Sequence, residues 1–174
     1  MRKQAGFTVI ELLTVVAIIG VMAGLAIASG IEWLPKHRLK SATNDLFSNM
    51  QRARMAAIKE NSDWAIVFDT SFTPGRYFVC SDDGPNNTWD GGGDDTVDRT
   101  INLADYGSGV DFGDGAAPAD IDISYGSGHV VFNAIGTGNA GYAYINNDQG
   151  ESYRVGSLTS GVIKTDRWQS GGWN

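Results

Sequence analysis

Glu11 is the costliest residue in the chain. It heads a run, Leu12 to Ala28, that carries no charge. A charged side chain at mid-membrane costs on the order of 2.5–3.5 kcal/mol, and less nearer the interface. Just before it stand Gly6 and Phe7. An ordinary secretory signal is cut at small residues after its apolar core. Here the small residue, Gly6, precedes the core, so a cut after it would leave the apolar segment attached as an anchor beginning with Phe7. The new Phe7 amine would be cationic near neutral pH, with an ordinary pKa of about 7.7–8.0. In lipid that amine and the Glu11 carboxylate both need compensation. They are four residues apart, so they can meet within one helix. Between staggered subunits the same pair would select the register of a filament. A Glu11 that merely snorkels to the interface is the third reading.

Two other stretches hold charged or stacking groups. Ser81 to Asp98 is dense in carboxylates and glycine, with Asp82, Asp83, Asp90, Asp94, Asp95 and Asp98. Calcium takes oxygen ligands from such loops, but the EF-hand spacing of Gly at the sixth place and Glu at the twelfth is absent. The sequence favours a solvated acidic loop, with calcium the lesser reading. Lys164, Arg167, Trp168 and Trp173 lie in the last eleven residues, where aromatic and cationic groups can stack on single-stranded bases. Asp166 lies among them, and the plainer expectation is a tail that packs its Trp residues on the head or on a neighbour.

Catalytic chemistry finds little footing. His37 and His129 fall in no triad or metal-ligand spacing. Cys80, the one cysteine, cannot close an internal disulfide and reads as a small buried hydrophobe in a strand. The glycines are followed by no Gly-Lys-Ser/Thr phosphate loop. The sequence therefore predicts a protein that is not an enzyme and has no cofactor beyond the calcium candidate.

The elements that position these residues follow from periodicity. The apolar run has about the length a bilayer core demands, since ~30 Å at 1.5 Å per residue takes roughly 20 residues. Arg2 and Lys3 precede it, which puts this end in the cytoplasm and the rest across the membrane. Beyond it, Leu39, Ala42, Leu46, Met50, Ala53 and Ala57 recur at three- and four-residue steps, a single helix face that predicts core. Gly30 and Pro35 predict a bend or brief unwinding over Ser29–Pro35, with helix resuming by Lys36 and ending near Lys59 at Asn61-Ser62-Asp63. The period then changes to two. Trp64–Phe68 and Arg76–Cys80 read as a hairpin, followed by strand-like runs at Val97–Leu103, Ile121–Ser124, His129–Asn133, Gly141–Asn146, Ser152–Val155 and Val162–Thr165. The fold class is α+β: a long N-terminal helix, membrane-spanning in its first half, with an antiparallel β-sheet head packed on its second half.

Gly6-Phe7-Thr8-Val9-Ile10-Glu11-Leu12-Leu13 resembles the class III signal of type IV pilins and type II secretion pseudopilins. His129 to Gly138, the Tyr142/Tyr144 strand, Tyr153-Arg154-Val155 and Gly161 to Lys164 are similar to the end of the GspH/FimT group of minor pseudopilins and minor pilins. The helical stretch Ser48–Ala57, with Arg52 and Arg54, is typical of that group. Residues 81–128 carry no resemblance. The likeness implies cleavage after Gly6 by a membrane aspartyl prepilin peptidase, N-methylation of Phe7, and assembly through Glu11. Family precedent favours the contact between subunits for that carboxylate. It implies a leader over 1–6, a spanning and polymerising helix over 7–34 and a periplasmic pilin-like head over 35–174. The implied partners are other pilin or pseudopilin subunits, the prepilin peptidase, the bacterial inner membrane and an assembly platform in it. The C-terminal disulfide loop of many major pilins is ruled out here. Some FimT-type pilins take up DNA, which makes Lys164, Arg167 and Trp168 weak DNA candidates; a calcium-dependent adhesive tip is the other alternative.

Charge argues against nucleic acid. The 174-residue chain carries −7, and loss of Arg2 and Lys3 leaves 11 basic against 20 acidic residues, or −9. Phosphate binding needs a basic surface.

Overall fold

The structure, a computed structural model, describes residues 6–115 and 121–174, and of residues 25–32 only the backbone. Arg2 and Lys3 of the expected leader lie outside the described residues. The chain divides into two compact units, Met1–Leu34 and Pro35–Asn174.

Helix α1 is Val9–Glu60. The unwinding expected over Ser29–Pro35 is absent: helical backbone carries through Gly30 and Pro35. A proline removes one N–H and crowds one carbonyl, and a long helix with well-packed turns downstream outweighs that local preference. In the first unit the apolar side chains point everywhere. Val9, Ile10, Leu12, Leu13, Val15, Val16, Ile18, Ile19, Val21 and Met22 are all exposed. A helix that is apolar all round belongs in a hydrophobic surround. Among the described residues, no helix is long and apolar enough to cross a membrane. The described side chains of this stretch stop at Gly24.

In the second unit one stripe is hidden. Leu39, Ala42, Leu46, Met50, Ala53 and Ala57 are fully buried, as their spacing predicts. The helix stops one residue past the expected Lys59. Asn61 takes a left-handed φ of 53°, and the Ser62 N–H donates to the Ala57 carbonyl at 3.2 Å. That is a Schellman stop, with asparagine where glycine is commoner.

Strands β1 (Trp64–Asp69) and β2 (Arg76–Asp82) form the expected hairpin, Ala65 facing Cys80 and Asp69 facing Arg76. With β3 (Thr96–Asn102) and β5 (His129–Phe132) they make a four-stranded sheet ordered β3-β2-β1-β5. Strands β4 (Val110–Phe112), β6 (Gly141–Asn147), β7 (Ser152–Ser157), β8 (Ile163–Gln169) and β9 (Gly172–Trp173) make a second sheet in the order β4-β6-β7-β8-β9. All pairings are antiparallel. The head thus has two sheets where the sequence reading has one. A common core joins them to the helix: Ile66, Phe68, Tyr77, Val79, Val130 and Phe132 from the first sheet, and Val110, Phe112, Ala143, Ile145, Val155 and Ile163 from the second.

Three local expectations need correction. Ile121–Ser124 forms no strand, only an isolated bridge from Ile123 to Ala143. Leu103 leaves β3 and opens a 3-10 turn, Leu103–Tyr106, because its side chain is fully buried in the core. The last eleven residues are no tail: β8 runs on to Gln169 and returns as β9.

Candidate functional site

The expected processing and assembly residues lie together at the start of α1. Gly6, Phe7 and Thr8 are outside the helix, and Phe7 is 83% exposed. Thr8 caps the helix. Its hydroxyl accepts the Glu11 N–H at 3.3 Å, and its carbonyl accepts the N–H groups of Glu11 at 3.1 Å and Leu12 at 3.2 Å. Thr8-Val9-Ile10-Glu11 is the Ser/Thr-x-x-Glu spacing of a capping box, which places Glu11 three residues after the cap. A carboxylate there also faces the positive end of the helix dipole. Glu11 therefore has a local role beside the intermolecular one expected from sequence. The Thr8 cap is legible in that spacing.

Most of the acidic loop is exposed to solvent, in line with the solvated loop expected of it, and it is anchored to the sheet. Trp89 packs on Ala65, Val67 and Cys80, the satellite core on the other face of the first sheet. Gly91 is buried, with φ +76°, and a Cβ there would overlap the Phe78 ring. The carboxylates serve this fold. Asp82 accepts the Gly84 N–H at 2.7 Å, and Asp94 accepts the backbone N–H and the side-chain amide of Asn86 at 3.0 and 2.6 Å. Asp95 accepts from the N–H groups of Asp90 and Gly91, and Asp90 from Gly92. Asp98 pairs with Arg52 on the helix at 3.4 Å. Among the described residues no group of three or more His, Cys, Asp or Glu is placed to hold a metal ion.

Under this loop burial governs the titratable groups. Burial, with Asp95 and Asp90 close by, pushes the Cys80 thiol up to about 12, which makes it inert. Burial also holds His129 below its ordinary 6.5, although the carbonyls of Trp89 and Ser127 and the Asp95 carboxylate pull the other way.

The three C-terminal candidates are separated. Lys164 and Trp168 lie in register with Asp166 on the outer face of the second sheet, the face opposite the core residue Ile163. Arg167 points the other way and is occupied. It pairs with Glu151 at 2.9 Å, which also takes Lys36 at 3.4 Å, and it lies over the Tyr153 ring. On the outer face Arg154 lies 4.2 Å from the Tyr142 ring centroid and 5.0 Å from that of Trp173, while pairing with Asp166 at 2.8 Å. Trp173 packs against Tyr144 and Trp168 with centroids 5.4 and 5.1 Å apart. The Trp residues thus pack on the head, the plainer of the two expectations. Of the two cations of the stretch, Arg167 is neutralised by a carboxylate, while Lys164 is exposed.

A tie that the sequence does not announce fixes the far end of the head helix. Arg54 donates from Nε to the Gly136 carbonyl at 2.8 Å. Gly161, φ +76°, lies so close that a Cβ would overlap that same carbonyl. The Asn133–Gly138 turn and the loop before β8 are locked to the helix there.

A long helix whose second part carries an antiparallel head, begun by a capped Gly-Phe-Thr segment, is the architecture of a pilin-like subunit. The description "Prokaryotic N-terminal methylation motif" matches residues 1–27, and "Type II transport protein GspH" matches residues 42–161. The chain belongs to the GspH family of type II transport proteins, and the matches support a minor pseudopilin of type II secretion. Among solved structures it is similar to the minor pseudopilin EpsH from the type 2 secretion system of Vibrio cholerae. The likeness has a TM-score of 0.51 at 14% identity and covers 74% of this chain and 95% of that one. At that identity the likeness speaks for the fold. No curated protein matches the chain.

Proposed function

We propose that this minor pseudopilin is made as a precursor, cut after Gly6 by a membrane aspartyl prepilin peptidase and methylated on the Phe7 amine. Residues 7–34 then hold it in the bacterial inner membrane, and residues 35–174 form a periplasmic head. From there the chain enters the pseudopilus of a type II secretion system through the inner-membrane assembly platform, alongside other pseudopilins. Its work is structural. The observation that carries the reading is the contrast within α1: exposed apolar side chains around the helix from Val9 to Met22, and a single buried stripe from Leu39 to Ala57.

Glu11 has a defined part in this reading. Its carboxylate answers the Phe7 amine of a neighbouring subunit and so sets the stagger between them. Glu11→Ala is expected to insert in the membrane normally, since a costly charge is gone. Its incorporation into filaments, measured by crosslinking to other pseudopilins, is expected to fall, and secretion with it. Full incorporation and secretion by Glu11→Ala would remove the carboxylate from assembly.

A further inference from the structure

A methylation motif over residues 1–27 does not by itself explain why the bond ahead of Phe7 would be open to a peptidase. A peptidase binds its substrate as extended backbone, because a helix turns the scissile carbonyl and N–H into its own hydrogen bonds. Here the chain faces a difficulty. The residues around Gly6 favour helix on both sides: Arg2, Lys3, Gln4 and Ala5 are all good helix formers, and from Val9 the helix is uninterrupted. Gly6, Phe7 and Thr8 are the weaker helix formers between them, Gly6 most of all.

The structure shows where that growth ends. Residues 6–8 are outside the helix, and Thr8 supplies two acceptors to the first turn, its hydroxyl to Glu11 and its carbonyl to Glu11 and Leu12. Phe7 is exposed, and a side chain on Gly6 would meet nothing within 4 Å. Among the described residues nothing would crowd a side chain at that position.

We propose that Thr8 is a positioning residue for processing: by capping the helix at Val9 it holds the Gly6–Phe7 bond in extended backbone, the form the peptidase cuts. Hydrolysis adds one water across that amide. The hydroxyl goes to the Gly6 carbonyl carbon, which leaves as a carboxylate, and the Phe7 nitrogen leaves protonated as an ammonium. Thr8 takes no part in that exchange. The proposal rests on the processing reading above, and it adds a residue whose substitution alters conformation and rate together.

The test uses the full chain in membranes with active prepilin peptidase and a second, known substrate as control. Initial cleavage rates are measured for wild type, Thr8→Ala, Thr8→Ser and Thr8→Asn, each normalised to the inserted amount. Backbone chemical shifts of residues 6–8 are read in detergent micelles. Alanine removes the side-chain acceptor, so the extended population and the initial rate are expected to drop by as much as about fivefold, the ratio a typical lost cap represents. The shifts of residues 6–8 are expected to move toward helix. Serine and asparagine cap well and are expected to restore both readouts. Cleavage of Thr8→Ala at the wild-type rate would overturn the proposal, as would residues 6–8 staying extended in that variant. An asparagine variant that is extended yet cut as slowly as alanine would show that the peptidase reads threonine itself, which also overturns it. A wild-type chain left whole while the control substrate is cut would instead overturn the processing reading, before any variant is compared.

Discussion

The two parts of α1 are built from one secondary structure and two different surfaces. From Val9 to Met22 the large apolar residues are exposed on every side. From Leu39 to Ala57 the apolar residues occupy one line and are fully buried, while Lys40, Asn44, Ser48 and Lys59 lie off it. The difference is in where each part finds its solvent. The head part buries its stripe against its own sheets, so its stability is internal. In the other part the described apolar side chains are exposed all round, a surface that suits a hydrophobic surround. Substitutions in the two parts should therefore report in different assays.

The sharpest expected effect is at the tie that locks the head helix. Gly161→Val combines a left-handed φ with overlap of the Gly136 carbonyl. It is expected to abolish cooperative melting of the head or lower its stability by more than about 4 kcal/mol, the range of exceptional substitutions. A variant that melts like the parent would show that the loop relaxes freely. Next is the buried stripe. Leu46→Ala is expected to cost about 2–5 kcal/mol in urea melts of a fragment spanning 36–174. Ala53→Lys, which puts a charge at a fully buried position, should be at least as severe. In the other part, Val16→Ala, made in the full chain in detergent micelles, is expected to change head stability by less than about 0.5 kcal/mol, as an uninvolved surface site does. A large shift in the head melt from Val16→Ala would break the contrast between the two parts.

The smallest effect is one of pH. Burial holds the His129 pKa below 6.5 in the folded head, so the unfolded chain binds the proton first as pH falls. Stability is then full above about 6.5 and declines below it until the folded-state pKa is reached. Replacing His129 with Gln should flatten that slope below pH 6.5, measured as the urea midpoint against pH. An unchanged slope would assign it to the carboxylates.

The sequence carried the helix and the first hairpin because both are local. The stripe from Leu39 to Ala57 and the alternation of Trp64–Phe68 with Arg76–Cys80 need no distant partner to be read. The division into two sheets depends on long-range pairing, β1 with β5 and β4 with β6, which periodicity does not encode. β4 and β9 are three and two residues long, too short to show alternation. The solvated character of the acidic loop was legible from its composition, but its anchorage was not, because that is long-range: Trp89 reaches the sheet. Among the candidate residues, Gly6, Phe7 and Glu11 come from the motif alone, and the structure adds the Thr8 cap beside them. Arg167 looked like a free cation because Glu151 lies sixteen residues away in sequence and beside it in space.

The N-terminus of the membrane form tests the central reading most directly. Intact-mass and fragment spectra of the chain purified from membranes are expected to show a protein that begins at Phe7 and carries one added methyl group on its amine, with residues 7–34 still attached. A mature protein that begins after Ala28 would contradict that account, because the segment assigned to anchoring and polymerisation would have been discarded as an ordinary secretory signal.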